Sequence, residues 1–200
     1  MCIRDSSFIV TPDVLVPRPE TETLVDAILN ENLQGKTLLE LGTGSGAISI
    51  SIAQENKDCF IFATDISIKS ILVAKQNAAK FCCENIIFLN HDWNNEWLFP
   101  QVDYLISNPP YVNKEATTGE EEGIWHEPEK ALFSKDKGLS DLKLILSKGK
   151  NFLNENGKVY LEHAPDQYEE LNKFAEENGY LNFSNLNDLN GDKRVSIYQC

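Results

Sequence analysis

Ser107-Asn108-Pro109-Pro110-Tyr111 is the stretch whose residue types and order point most directly to chemistry. It follows Val102-Asp103-Tyr104-Leu105-Ile106, an apolar run that reads as a short buried strand. Two consecutive prolines end regular structure and hold Asn108 and Pro109 out of helical geometry. A rigid loop at the C-terminal end of a strand is where α/β sheets place their ligands. This loop offers the amide oxygen of Asn108, the carbonyl of Pro109 and the flat ring of Tyr111. Two acceptors and a stacking face suit a planar group that bears an NH2. A proline-stiffened turn is the competing explanation.

Gly42-Thr43-Gly44-Ser45-Gly46 is the second candidate. It follows a strand, Thr37-Leu38-Leu39-Glu40-Leu41, and precedes a helix carrying Ala47, Ile48, Ile50, Ile52 and Ala53. Strand, glycine turn and helix open a nucleotide-type α/β fold, the glycines allowing a tight turn and a close ligand. The spacing is G-x-G-x-G, not the dinucleotide G-x-G-x-x-G, and no Walker lysine follows, which points away from pyrophosphate. Asp65 ends a second strand, 19 positions after Gly46. That is close to the ~20-residue offset at which an acid grips ribose hydroxyls; a strand-end turn aspartate is the alternative. His91-Asp92-Trp93 closes a third strand, Asn85–Leu89. The Asp–Trp pair can hydrogen-bond and flank an adenine ring, unless Trp93 is only a core-edge residue. Arg18, between Pro17 and Pro19, is either aimed at an anionic group or a solvated loop arginine.

The elements that must position these residues follow from periodicity. Phe8-Ile9-Val10 reads as a short strand. Pro19 opens a helix with Glu20 and Glu22 near its positive end, and Leu24, Val25, Ile28 and Leu29 form its apolar face. Ser67 caps a helix carrying Ile71, Leu72, Ala74 and Ala78, which Cys82-Cys83 terminate. Val112 to about Leu132 is a long polar loop with Glu120-Glu121-Glu122 and Trp125-His126-Glu127-Pro128. Loops of that length are functional lids or disordered, and His126 reads as a lid residue, not a base. A helix over Gly138–Asn154, a strand over Gly157–Glu162 and a helix over Gln167–Glu177 come next. Tyr180–Phe183 and Arg194–Tyr198 then form a hairpin about Gly191. The expected fold is α/β and Rossmann-like: a mostly parallel seven-stranded sheet, an antiparallel C-terminal hairpin, and helices on both faces.

Composition narrows the function. Two hundred residues, 42% hydrophobic and 24% charged, suit one domain of ordinary size. The formal net charge of −13 repels a phosphate backbone, and the basic residues form no patch. A protein substrate fits better than duplex nucleic acid. Cys2, Cys59, Cys82, Cys83 and Cys200 have no C-x-x-C spacing, so neither a metal site nor a disulfide framework is expected. A reducing, cytoplasmic location follows. No apolar segment approaches the ~20 residues that span a bilayer.

With these motifs in place, the chain resembles a known family. Glu40-Leu41-Gly42-Thr43-Gly44-Ser45-Gly46 is similar to the S-adenosylmethionine loop of class I methyltransferases. Asn108-Pro109-Pro110-Tyr111 is similar to the tetrapeptide of those that methylate a planar nitrogen. Val16-Pro17-Arg18-Pro19-Glu20-Thr21-Glu22, Glu127-Pro128 through Ala131-Leu132-Phe133, and Leu161-Glu162-His163 narrow the resemblance to the HemK family, the peptide chain release factor glutamine methyltransferases. The resemblance implies that Gly42, Thr43, Gly44, Ser45 and Gly46 cradle the methionine part of S-adenosyl-L-methionine. It implies that Asp65 binds the ribose and Trp93 lies beside the adenine. Asn108 would touch cofactor and substrate, with Pro109, Pro110 and Tyr111 completing a pocket for the glutamine of a Gly-Gly-Gln motif. Class I release factors would be the partners, without direct nucleic-acid or membrane contact, and a monomer is expected. Residues 8–200 would be the catalytic domain and residues 1–7 remain unassigned. The family's N-terminal helical docking domain has no counterpart here, so a fragment is expected. Rival readings are an adenine N6-methyltransferase, a glutamine methyltransferase for a ribosomal protein, and a cofactor-binding domain without transfer.

Overall fold

Alternation along the strands builds a sheet buried on both faces. Leu38 points into one core and Leu39 and Leu41 into the other, the period-two pattern of a strand covered on both sides. The computed structural model describes residues 2–3, 6–115 and 128–200. The expectations for Glu120–Glu122, Trp125, His126 and Glu127 lie outside the described residues, as do Met1, Arg4 and Asp5.

Seven strands form the main sheet: β1 (Thr37–Leu41), β2 (Phe60–Asp65), β3 (Ile86–Asn90), β4 (Val102–Ser107), β5 (Leu153–Glu162), β6 (Asn182–Asn187) and β7 (Lys193–Gln199). Their spatial order is β3-β2-β1-β4-β5-β7-β6. Neighbours from β3 to β5 pair in parallel, and β7 runs antiparallel to both β5 and β6. Five helices cover it: α1 (Thr21–Leu29), α2 (Ala47–Glu55), α3 (Ile68–Lys80), α4 (Ser140–Gly149) and α5 (Tyr168–Glu177). Leu24 and Ile28 of α1 and Ile48 and Ile52 of α2 pack with Leu38, Ile61 and Ile106 on one face. Leu142, Ile145 and Leu146 of α4 and Leu171 of α5 pack with Leu39, Leu105 and Val159 on the other. The expected seven-stranded α/β architecture is the observed one.

Local boundaries differ where side chains replace backbone partners. Phe8-Ile9-Val10 is not a strand. Ile9 N–H donates to Asn77 Oδ1 at 2.8 Å, and Asn77 Nδ2 donates to the Ile9 carbonyl at 3.0 Å. A side chain of α3 thus takes the bonds a neighbouring strand would make. Pro19 lies in a turn before α1, which starts at Thr21. The helix expected from Gly138 starts at Ser140, because Asp136, Lys137 and Gly138 all have positive φ. Its expected last residues belong to a 3₁₀ turn and to β5, which already pairs Leu153 with Val102 and then bulges around Asn156 and Gly157. The strand expected at Tyr180 begins at Asn182. Tyr180 is instead a buried anchor whose hydroxyl donates to the Leu146 carbonyl at 2.8 Å.

Gly138 shows how tightly the remote loops are joined to the signature loop. Its φ is +89°, and a Cβ there would lie 2.0 Å from the Tyr111 carbonyl oxygen. Gln167 clips the same point: its Nε2 donates to the Tyr111 and Lys137 carbonyls at 2.9 and 3.1 Å. Gly138→Ala combines positive-φ strain with a backbone collision, each worth about 1–3 kcal/mol. A drop in thermal midpoint on the order of 5–10 °C is expected for a chain of this size. An unchanged midpoint in a melting scan would contradict this packing.

Candidate active site

The crevice opens where β1 and β4 lie side by side and their chains depart in different directions. Leu41 is paired with Ser107, and the Ser107 hydroxyl donates to the Leu41 carbonyl at 2.7 Å. The glycine loop therefore begins beside the residue that precedes Asn108. Gly42 and Thr43 N–H groups both donate to the Thr64 carbonyl, at 2.9 and 2.8 Å, folding the loop back over β2. Gly46 has φ +82° and opens α2. A Cβ on Gly46 would lie 2.8 Å from Ile50 Cδ1, while among the described residues beyond its chain neighbours no atom lies within 4 Å of where a Cβ on Gly44 would point. Open space at Gly44 is what a loop that admits a ligand needs.

A cavity of about 830 Å³ occupies this crevice. Gly42, Gly44, Asp65, Trp93, Asn108 and Pro110 line it, together with Pro12–Leu15 and Pro128–Ala131. Trp93 is fixed by its indole N–H, which donates to Asp141 Oδ1 at 3.1 Å. Asp65 accepts from Gly44 N–H at 2.9 Å and from Ser67 N–H at 2.8 Å, one bond on each oxygen. Each oxygen keeps lone-pair capacity for a hydroxyl. Burial raises the Asp65 pKa, and the two backbone donors oppose that shift.

Beneath the loop lies Glu40, fully buried, with its pKa pushed up to about 7 by desolvation. The hydroxyls of Thr43 and Ser49 both donate to Oε2, while Oε1 has no hydrogen-bond partner among the described residues. Glu40 also lines a small cavity of about 50 Å³ shared with Arg18, Thr21, Thr43, Ser45 and Asn108. An orphaned buried acceptor here is a reason to expect a donor on the ligand.

A second cavity, of about 490 Å³, lies on the other side of the signature loop. Asn108, Pro109 and Tyr111 line it with Arg18, Glu20 and Arg194. The Tyr111 hydroxyl donates to Glu162 Oε1 at 3.1 Å. Desolvation raises the pKa of both partners, that of Glu162 to about 7. Arg194 reaches the cavity from β7 and is tethered by Asp188, whose Oδ2 accepts from its Nε at 3.2 Å.

The structure thus gathers Gly42, Gly44, Asp65, Trp93, Asn108 and Pro110 around one cavity, and Pro109 and Tyr111 around the next. Thr43 and Ser45 line the small cavity, and Gly46 lines none of the three. Sequence reading missed Pro12–Leu15 as a wall, Arg194 as a pocket residue, and the inward role of Glu40. Only Glu40 carried a signal: a charge in an otherwise apolar strand.

Comparisons with known proteins bear on the family and the fold. Residues 19–174 match the family described as "Methyltransferase small domain". A release factor glutamine methyltransferase of Coxiella burnetii is 36% identical over 192 residues, 94% of this chain and 68% of that one. One from Aliivibrio fischeri is 34% identical over 95% of this chain and 68% of its own length. A methyltransferase structure from Pyrococcus furiosus superposes with a TM-score of 0.70 at 19% identity, covering 96% of this chain and 87% of that one.

Two outcomes test the site. Gly44→Ala is expected to fold with about 1–2 kcal/mol of positive-φ strain yet lose ligand affinity at least tenfold by calorimetry, because its methyl group enters the open cavity. Retained affinity would remove the loop from the binding site. Glu40 has a folded pKa of about 7 against 4.5 unfolded, so the stability it contributes is complete below 4.5 and lost as pH rises through 7. Relative to Glu40→Gln, the wild type should lose on the order of 3 kcal/mol between pH 4.5 and 8 in urea unfolding. Parallel curves would refute the raised pKa.

Proposed function

Because the chain belongs to the release factor glutamine methyltransferase family, we propose that it methylates the side-chain amide nitrogen of the glutamine in the Gly-Gly-Gln motif of class I peptide chain release factors. It is an S-adenosyl-L-methionine-dependent enzyme. One observation carries the reading: Asn108 borders the glycine-loop cavity and the second cavity at once. A donor in the first and an acceptor in the second meet at its amide. The curated relatives are named for release-factor glutamine, which places adenine and ribosomal-protein acceptors behind this reading.

The residues present fit the cofactor. Open space at Gly44, the lone pairs of Asp65 and the unpartnered Glu40 Oε1 match a ligand with hydroxyls and an ammonium group. Asp65 is assigned to the ribose, Trp93 to the adenine face, and the Gly42–Gly46 loop with Glu40 to the methionine end. When bound, the cofactor supplies a methyl group already activated on sulfonium.

What the chain supplies is orientation. A carboxamide nitrogen is a weak nucleophile because its lone pair is shared with the carbonyl. Asn108 Oδ1 and the Pro109 carbonyl accept its two N–H bonds, and the Tyr111 ring supports its plane. Alignment of this kind lowers a barrier by as much as ~7–11 kcal/mol at the favourable limit. Both hydrogen bonds strengthen as positive charge grows on nitrogen, so they favour the transition state over the ground state. Residues 8–200 are assigned as the catalytic domain.

The test is methyl transfer from labelled S-adenosyl-L-methionine to a purified class I release factor, beside a Gly-Gly-Ala version and a nucleic acid. Label is expected on the wild-type factor only, with Asn108→Ala slower by about 10²–10³-fold and still binding cofactor. Label on the Gly-Gly-Ala factor or on nucleic acid would overturn the assignment.

A further inference from the structure

An asparagine can turn either end of its amide toward a pocket, and only the oxygen end receives an NH2 group. In the structure Asn108 Nδ2 donates to the Thr21 hydroxyl oxygen at 3.2 Å, which leaves Oδ1 for the substrate side. A hydroxyl has one proton, so Thr21, accepting from Asn108, must direct its own proton elsewhere. Thr21, at the start of α1, is buried and lies outside the signature loop.

We propose that Thr21 is a positioning residue that fixes the polarity of the Asn108 amide. Thr21 Oγ1 accepts from the Asn108 NH2 group, and Asn108 thereby presents its acceptor oxygen to the substrate. This rests on the glutamine-methyltransferase reading above. Reversing the amide would set donor against donor in the pocket. Freed of Thr21, Asn108 samples both orientations and the substrate amide loses a partner it needs for alignment. Thr21 acts only through Asn108, which gives the inference its signature.

The experiment measures kcat/KM for a purified class I release factor, and cofactor affinity, in wild type, Thr21→Val and Thr21→Ser. Thr21→Val keeps the shape and removes the hydroxyl. It is expected to lower kcat/KM about 10- to 100-fold, the size of losing a buried hydrogen-bond partner, with cofactor affinity within about threefold. Thr21→Ser restores the hydroxyl and should recover activity to within about threefold of wild type. In an Asn108→Ala background, Thr21→Val should cost nothing further. Full activity in Thr21→Val, equal damage from Thr21→Ser, or an additive loss on Asn108→Ala would each overturn the inference. Should Thr21→Val fail to fold, Thr21→Ala enters the same cycle with Asn108→Ala under the same criteria. A wild-type chain that binds cofactor and transfers no methyl group would overturn the functional reading, and this inference with it, before any variant is compared.

Discussion

The parallel pairing of β1 with β4 is the constraint on which the site depends. It sets Leu41 beside Ser107, so the glycine loop and the signature loop leave the sheet from adjacent strand ends. From β1 the chain moves toward β2 and β3, and from β4 toward β5. Strand order reverses between them, and a crevice outside the carboxyl ends of the strands is the geometric result. Asn108 stands at the mouth of that crevice, bordering every cavity described around it. A one-residue slip in register would turn the faces of β1 and break the alignment of the loops.

Hydrophobic burial cannot finish such a site, because loops carry backbone groups that need partners. Buried amides do this work. Asn77 of α3 joins the Ile9 backbone to the Ser45 carbonyl in the glycine loop, with bonds of 2.8–3.0 Å. Gln167 joins the Tyr111 carbonyl to the turn before α4 and also accepts from Ala164 N–H at 2.9 Å. Each amide offers a donor and an acceptor at a fixed separation, so it locks two segments at once. Both are buried, and in such surroundings an unmade bond is costly enough to keep the loops in one arrangement.

Two buried glutamates carry the opposite logic. Glu40 and Glu162 sit under the two loops, each with one oxygen lacking a partner among the described residues and each with its pKa raised to about 7 by desolvation. Neither helps the folded chain at neutral pH. Their value lies in direction: once ionised, a carboxylate accepts only, so every hydroxyl beside it must donate. Thr43 and Ser49 around Glu40, and Tyr111 at Glu162, are oriented by that rule. The protein accepts a local loss of stability where ligand geometry has to be unambiguous, a pattern typical of functional sites.

The sequence by itself determined the parts whose signal is local. Gly42–Gly46 had to be a tight turn because glycines alternate there. Asn108–Tyr111 had to be a rigid loop because two prolines forbid anything else. Asp65 had to end a strand, and the sheet with its hairpin followed from alternating apolar runs. Tertiary structure alone decided which distant residues complete the site. Thr21 meets Asn108 across 87 positions and Tyr111 meets Glu162 across 51. Arg194, on a strand that reads as ordinary, reaches the second cavity only because β7 inserts antiparallel beside β5. Phe8–Val10 looked like a strand, since propensity is blind to an asparagine on α3 that takes the backbone bonds. Periodicity records which face of an element is buried. Which end of an amide or carboxylate faces a neighbour depends on partners that the fold brings together, and no local pattern encodes them.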